Sequence, residues 1–228
     1  MNPPEPRRLL GAALPLLIVL LSAAPAQSEQ PLSKEDTQLW SEVQAVAHVR
    51  KNVDWNSSGM IRFGHDVSNL IYERFFTGVA FTLGKHFDLM PWYGYFAFQP
   101  DEARDIRESR LAVDGTFRWA FGKFVLSDRN RVERRFFASG QRCNRYRNRI
   151  QIEHPLRCGS RQLRLTVGDE VQYDAAFDAW NRNRIAAGIG VPLHEGVELE
   201  VYYMRQNDGY IRPGDMNIIG TSLRLSFF

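Results

Sequence analysis

Residues 123–136 read KFVLSDRNRVERRF and residues 144–154 read NRYRNRIQIEH, and in both segments most apolar side chains share one parity and most charged side chains the other. In the first segment the apolar parity carries Phe124, Leu126, Val132 and Phe136, and the other parity carries Ser127, Arg129, Arg131, Glu133 and Arg135. In the second segment Tyr146, Ile150 and Ile152 alternate with Arg145, Arg147, Arg149, Gln151 and Glu153. A period of two is typical of β-strands, so each segment is predicted to be a strand with one apolar and one charged face.

Two closed architectures accommodate such strands. In a soluble β-sandwich the charged faces would meet water, whereas in a transmembrane barrel the apolar faces meet lipid and the charged faces line a lumen. The alternation continues to the end of the chain and follows a secretion signal. We therefore predict an all-β fold, an antiparallel up-and-down transmembrane β-barrel, with a secreted soluble sandwich as the alternative.

The N-terminus has the composition of a cleaved signal peptide. Arg7 and Arg8 precede an almost wholly apolar run, Leu9 to Leu21, and Ala24-Pro25-Ala26 supplies the small residues that a signal peptidase requires. The apolar run is shorter than the roughly twenty residues that a transmembrane helix needs. We predict a signal peptide at residues 1–26, a flexible lead-in at residues 27–36 and the barrel at residues 37–228.

The charge balance argues against a nucleic-acid-binding protein. Removing residues 1–26 takes away two of the 29 basic and one of the 26 acidic side chains, which leaves a nearly neutral chain. The basic residues alternate with apolar ones and do not form the one-sided patch of a nucleic-acid binder. No nucleic-acid partner is therefore expected.

Eleven stretches of alternating residues can be counted after the signal peptide. The breaks between them alternate between short ones (50–52, 84–86, 120–122, 192–196) and longer polar ones (64–69, 99–106, 137–144, 207–215). Short turns at one end and long loops at the other are typical of outer-membrane barrels. Because bacterial barrels have even strand numbers, ten or twelve strands are expected. The aromatic segment at residues 92–98 is interpreted as part of an interfacial girdle, with buried core aromatics as the alternative.

The two cysteines are predicted to be near opposite ends of one strand. Some ten residues at about 3.3 Å each place Cys143 and Cys158 roughly 30 Å apart, too far for a disulfide. An exported chain with two cysteines would otherwise suggest a bond between them.

Several short segments of the sequence resemble those of a known family. They are QLWSEV (38–43), YERF (72–75), LSDRNRVERRF (126–136), YRNR (146–149), DEVQYD (169–174), WNRNR (180–184), YYMRQNDG (202–209) and RPGDMNIIGTSLRLSF (212–227). With these words the chain resembles the bacterial proteins grouped as domain of unknown function 2490, which are predicted outer-membrane β-barrels. The resemblance implies export and a barrel, and it brings no activity and no catalytic residues.

The arginine-rich segments contain the candidate site, which is a polar network in the lumen. Its predicted members are Arg129, Arg131, Glu133, Arg147, Arg149, Glu153, Glu170, Arg182 and Arg184. Guanidinium and carboxylate groups on neighbouring strands pair bidentately and could simply fill and rigidify a narrow lumen. Alternatively, an arginine-rich lining admits or binds anions. The chain is thus expected to be a small-solute channel or a structural or binding barrel.

A lipid-modifying enzyme is the alternative from a different class. Barrel enzymes that cleave or transfer acyl groups need a serine beside a histidine, so Ser127 or Ser41 would have to meet a distant histidine. The histidines, at positions 48, 65, 86, 154 and 194, are scattered near strand ends. No histidine pair or acidic cluster has metal-ligand spacing, and neither a metal nor a cofactor is predicted.

The predicted location is the bacterial outer membrane. The expected partners are outer-membrane lipid and lipopolysaccharide, together with the barrel-assembly machinery during insertion. That machinery recognises a terminal aromatic residue in phase with the lipid-facing set, and here the apolar phase ends on Phe227, one residue before Phe228. The oligomeric state is left open by the sequence.

Overall fold

The computed structural model describes residues 34–101, 104–159 and 161–227, and every regular element in these ranges is a β-strand. The strands are β1 (Glu35–Arg50), β2 (Val53–Gly64), β3 (Asn69–Leu83), β4 (Phe87–Asp101), β5 (Arg104–Phe121), β6 (Phe124–Phe137), β7 (Arg142–Cys158), β8 (Arg161–Asp174), β9 (Ala179–His194), β10 (Val197–Asp208) and β11 (Asp215–Phe227). The predicted signal peptide lies outside the described residues. The described residues contain no helix that is long and apolar enough to cross a membrane.

The eleven strands close into one barrel. Consecutive strands pair antiparallel, and β1 pairs parallel with β11 from Glu35–Asp215 to Ala47–Phe227. An odd number of strands with alternating directions leaves the first and last strands pointing the same way, so closure between them has to be parallel. The count of eleven is therefore confirmed. The predicted up-and-down barrel of about ten to twelve strands is confirmed, although its strand number is odd and the β1–β11 pair is the parallel exception in an antiparallel sheet.

The barrel is apolar outside and polar inside. Large apolar side chains such as Leu111, Val132 and Ile185 are exposed on the outer face, whereas Glu133, Gln172 and Asp174 are almost completely buried in the lumen. A water-soluble protein has the opposite distribution. The predicted alternation is thus confirmed, and the two separate sheets of the alternative sandwich are not formed.

The two ends of the barrel differ as predicted. At one end, called the short-turn end, residues 51–52, 84–86, 122–123, 159–160 and 195–196 connect the strands. At the other, called the long-loop end, the described connections are residues 65–68, 138–141, 175–178 and 209–214. Most predicted breaks are shorter than expected, because the strands run on through part of them, most of all at residues 99–106, 137–144 and 192–196. The two-residue turns need a left-handed residue, which Gly122 (φ 59) and Gly196 (φ 71) supply.

Both cysteines belong to β7 and lie near its two ends, and both are free. Cys143 is half-buried beside Arg135, and Cys158 is exposed at the short-turn end. The prediction that they are too far apart to bond is confirmed.

One side of the lumen is an apolar wall. The buried residues that form it lie mainly on β1–β5 and β11: Trp40, Met60, Ile71, Tyr72, Trp92, Phe96, Ala112, Met216 and Ile218. The aromatic segment of β4 is therefore divided between the two faces, with Trp92 and Phe96 buried inside and Tyr93 and Tyr95 exposed outside. The girdle interpretation holds only for the second pair, and the first pair belongs to the interior.

Tyr202 packs against the apolar wall, and its ring lies flat on the inner face of the sheet. Its ring lies over Gly220, which is directly opposite on β11, and Gly188 is opposite on β9. A Cβ at Gly220 would overlap the Tyr202 ring, and a Cβ at Gly188 would be 2.9 Å from Tyr202 Cβ. These two glycines allow a large aromatic side chain to lie flat against the sheet.

Candidate functional site in the lumen

A continuous chain of ion pairs runs across the inner faces of β5–β9. It joins seven arginines to five carboxylates: Arg110, Arg129, Arg131, Arg135, Arg145, Arg147 and Arg184 with Glu108, Asp114, Glu133, Glu170 and Asp174. We call this set the central network. All of its members alternate with outward-facing residues on their strands, so the period of two alone carries them into the lumen.

Glu133 and Glu170 are the two hubs of the central network. Glu133 is completely buried and lies 3.3 Å from both Arg110 and Arg147, with Arg131 and Arg145 each at 3.9 Å. Glu170 accepts from Arg147 at 2.6 Å and from Arg129 at 2.7 Å, and Arg184 lies 3.3 Å away. Because a buried carboxylate needs paired charges, these contacts lock the arginines in place.

The arginines also pack against the aromatic wall on the opposite side of the lumen. The Arg110 guanidinium lies 3.7 Å from the centre of the Phe96 ring, and Arg131 lies 4.8 Å from that of Trp92. Arg62 is held between the Trp40 and Tyr72 rings, at 3.6 and 3.8 Å. Cations over aromatic faces are stabilised when desolvated. Together, the central network and the wall line and narrow the half of the lumen nearest the long-loop end.

Positive charge is in excess in the central network. Seven arginines face five carboxylates, and the neighbouring Arg149 has no ion-pair partner among the described residues. Arg149 is directly opposite Arg129 in the β6–β7 register. Both have a buried Nε without a hydrogen-bond acceptor. Buried donors are normally satisfied, so these two N–H groups are available to an anion.

The half of the lumen nearest the short-turn end is wider and wetter. A cavity of about 870 Å³ occupies the lumen, and its lining here includes Ser127, Gln151 and Arg164. Arg164 pairs with Glu198 and lies 3.7 Å from Glu153. The Glu153 side chain is 31% exposed and that of Glu133 is 0% exposed, which marks the change from an open to a filled lumen. Arg129 and Arg149 lie where the two halves meet.

The long-loop end is covered by its own loops. The Phe177 and Tyr210 rings, from two different loops, are 5.0 Å apart, and Pro213 and Gly214 are buried. Asp208 accepts hydrogen bonds from the backbone N–H groups of Tyr210 and Ile211, which fixes the 209–214 loop at the end of β10. The lining of the cavity reaches these loops at Phe177, Ile211 and Pro213.

The predicted network residues divide into three groups. Arg129, Arg131, Glu133, Arg147, Glu170 and Arg184 lie together in the central network, and Arg149 is beside it without an ion pair. Arg182 pairs separately with Asp208 at 2.8 Å, and Glu153 belongs to the wetter half. The sequence reasoning missed six members: Glu108, Arg110, Asp114, Arg135, Arg145 and Asp174. Five of these lie on the inward parity of β5, β6 and β7, and Asp174 continues that of β8, so the alternation alone could have indicated all six.

The structure separates the residues that the enzyme alternative required. Ser127 faces the lumen, whereas His154 lies on the outer face with its ring 4.6 Å from that of Phe124. Ser41 accepts a hydrogen bond from Thr221. The rings of His65 and His86 contact the carbonyl oxygens of Pro100 and Arg118. The described residues also contain no group of three or more histidine, cysteine or acidic side chains placed to hold a metal ion. The enzyme alternative is not supported.

Comparison with known proteins identifies a family. The family model described as "Protein of unknown function (DUF2490)" matches residues 37–217. The chain belongs to this family. The predicted family resemblance is therefore confirmed, and the match spans the barrel from β1 into β11.

Among solved structures, the chain is similar to the β domain of the Bordetella autotransporter Brka. The TM-score is 0.47 and the identity 11%, over 83% of this chain and 97% of that one. A comparison with curated proteins found no match. Since the family description gives no activity, the function has to be inferred from the lumen itself.

Proposed function

We propose that this protein is an outer-membrane β-barrel that binds a small anion in its lumen, between Arg129 and Arg149, from the short-turn end. The single observation that carries the proposal is the pair of buried, unsatisfied Nε groups on two arginines that are directly opposite each other. A carboxylate or phosphate group is the class of anion that guanidinium groups bind best.

The membrane location is supported by the outer face. Exposed apolar side chains surround the barrel on all strands, and closure leaves no free sheet edge. Only helices and closed barrels satisfy every backbone hydrogen bond in a bilayer. In outer-membrane barrels the short turns face the periplasm, so the cavity would open to the periplasmic side.

A binding role is favoured over that of an open pore because buried side chains narrow the long-loop half of the lumen. Glu133, Asp174 and Gln206 are almost inaccessible to water, and the loops cover the end. An aqueous pore requires a continuous wide path, which the central network and the loops narrow. A second role, that of a gated channel, is favoured by the 870 Å³ cavity, whose lining extends from Arg164 through the central network to Pro213.

The proposal is tested by anion-dependent stability. The detergent-purified protein is unfolded thermally in chloride, acetate, sulfate and phosphate at matched ionic strength, and folded and unfolded forms are separated by their gel mobility. Acetate, sulfate or phosphate should raise the midpoint over chloride in the native chain but not in the double variant Arg129→Gln/Arg149→Gln. Arg164→Gln, which changes an arginine of the wetter half, is the matched control and should keep the response.

Two results would overturn this proposal. One is an equal response to these anions in the native chain and the double variant. The other is a steady, open conductance in planar bilayers, which would show that the lumen is a pore. Extraction of the protein without detergent would contradict the membrane location separately.

A further inference from the structure

The arginine-rich words of the sequence place polar residues on both faces of the sheet. In the segments DRNR (128–131), YRNR (146–149) and WNRNR (180–184) the arginines face the lumen. The aspartate and asparagine residues that alternate with them therefore point outward. Together with Asp169 of β8 they form the outer polar patch, which consists of Asp128, Asn130, Asn148, Asp169 and Asn183. The lumen function has no use for these five side chains.

The patch lies inside the apolar surface and not at its edge. Exposed apolar residues of the outer face lie on both sides of the patch on β6 and β9. On β7 and β8 they lie on its short-turn side, and Tyr146 and Val171 on its other side are half-buried. On β6, Val132 is nearer the long-loop end than Asn130. Ile150 on β7 and Val167 on β8 are nearer the short-turn end than Asn148 and Asp169. Outward polar residues elsewhere, such as Arg205 and Asn217, lie nearer the long-loop end than the exposed aromatic Tyr203.

Cross-strand hydrogen bonds make the patch continuous. Asn130 and Asn148 are directly opposite each other, and the Asn148 amide donates to Asp128 at 2.6 Å and to Asn130 at 3.2 Å. Asn183 donates to Asp169 at 2.6 Å. Each aspartate thus receives one amide on one carboxylate oxygen, and its second oxygen accepts no hydrogen bond from a side chain of the described residues.

Lipid is an unfavourable environment for such a patch. The hydrocarbon region offers no hydrogen-bond donors, and carboxylate and carboxamide groups are costly to expose there. Polar residues within membranes characteristically make contacts between protein segments instead. The patch is therefore expected to be covered by protein.

The hydrogen-bonding groups of the patch fit a second copy of the same surface. The aspartates can only accept, whereas Asn130 still has an amide that donates to no described residue. A surface that offers both donors and acceptors is self-complementary about a two-fold axis, which is the commonest symmetry of oligomers. The aspartate oxygens without a partner can accept hydrogen bonds from asparagine amides of the second copy.

We propose that two copies of this chain associate in the membrane through the outer faces of β6–β9, with the outer polar patch at the centre of the contact. This inference rests on the proposed membrane location, and it is independent of anion binding in the lumen.

Site-specific cross-linking tests the contact. In a Cys143→Ser/Cys158→Ser background, Val132→Cys places a thiol beside the patch on β6, and Val201→Cys places one on the outer face of β10. Both native valines are exposed and apolar, at 59% and 44%. Treatment of outer membranes with a flexible bifunctional maleimide should give a dimer with Val132→Cys, at least tenfold more abundant than with Val201→Cys. Equal dimer, or none, with the two variants would overturn the proposal.

A second variant asks whether the polar groups hold the contact. Asn148→Leu/Asp169→Leu in the Val132→Cys background should keep the heat-dependent gel shift of a folded barrel and lose at least nine-tenths of the dimer. A folded variant that cross-links as well as its parent would contradict the role of the patch. Detergent-free extraction of the native chain would remove the membrane location and the dimer together, whereas a membrane-embedded monomer would remove the dimer alone.

Discussion

Arg129 and Arg149 are directly opposite each other on the inner faces of β6 and β7, and neither finds a hydrogen-bond acceptor for its buried Nε. Like charges at directly opposite positions of a sheet are destabilising. Arg147, two residues before Arg149 on β7, lies between Glu133 and Glu170, with guanidinium N to carboxylate O distances of 3.3 and 2.6 Å. The same strand therefore carries one arginine that the fold needs and one that costs it stability.

Arg149→Gln should stabilise the ligand-free barrel. Removing one of two opposed charges is expected to raise the free energy of unfolding by up to about 1 kcal/mol. The measurement is urea unfolding of the protein in lipid vesicles without added oxyanions. Arg147→Gln is the control and should destabilise, because it leaves two buried carboxylates short of a partner; equal losses in both variants would show that Arg149 is structural.

Glu133→Gln should be among the most damaging single changes in the lumen. Four arginines surround this completely buried carboxylate, and breaking a buried ion pair costs roughly 3–5 kcal/mol. Glu153→Gln in the wetter half should cost about 1 kcal/mol or less, since its ion pair is partly exposed. The same urea titration compares them, and a small effect at Glu133 would mean that water reaches the central network.

Val201→Arg tests whether the outer face meets lipid. An arginine near the middle of the apolar surface of a barrel costs about 2–4 kcal/mol, and one near the interface about 0–1 kcal/mol. Val49→Arg, close to the short-turn end, is the matched control because Val49 is at least as exposed as Val201. Equal and negligible losses of stability in lipid vesicles would show that the outer face is in water.

The orientation of the barrel can be measured by labelling thiols in intact cells. With short turns in the periplasm, the exposed Cys158 should react with a membrane-impermeant maleimide only after the outer membrane is permeabilised. Ser139→Cys, in the exposed 138–141 loop of a Cys143→Ser/Cys158→Ser chain, should react without permeabilisation. The reverse pattern would place the cavity mouth at the cell surface.

The parallel seam predicts a specific cross-link. Leu39 and Ile219 are register partners on β1 and β11, so cysteines at both positions should form a disulfide in a chain without the native cysteines. Leu39→Cys with Leu223→Cys, four residues out of register, is the control. Non-reducing electrophoresis measures the disulfide in both variants. An efficient disulfide in the control and none in the register pair would show that the barrel closes in another way.

The alternation of residues determined much of this protein without any tertiary information. A period of two assigns each side chain to a face, so Arg129, Arg131, Arg147 and Arg149 could be placed in a lumen from their spacing alone. The strand count of eleven followed from the same pattern, and the separation of Cys143 from Cys158 followed from the rise per residue.

The tertiary structure decided which of these residues meet. Register between strands is a long-range property. It alone brings Glu133 to four arginines, and it places Arg149 between Arg129 and Glu170 without an ion pair in the described part of the chain. The parallel β1–β11 closure likewise depends on the meeting of the two ends of the chain, which no local pattern encodes. A face is set by the geometry of one strand, but a site is set by how neighbouring strands are aligned.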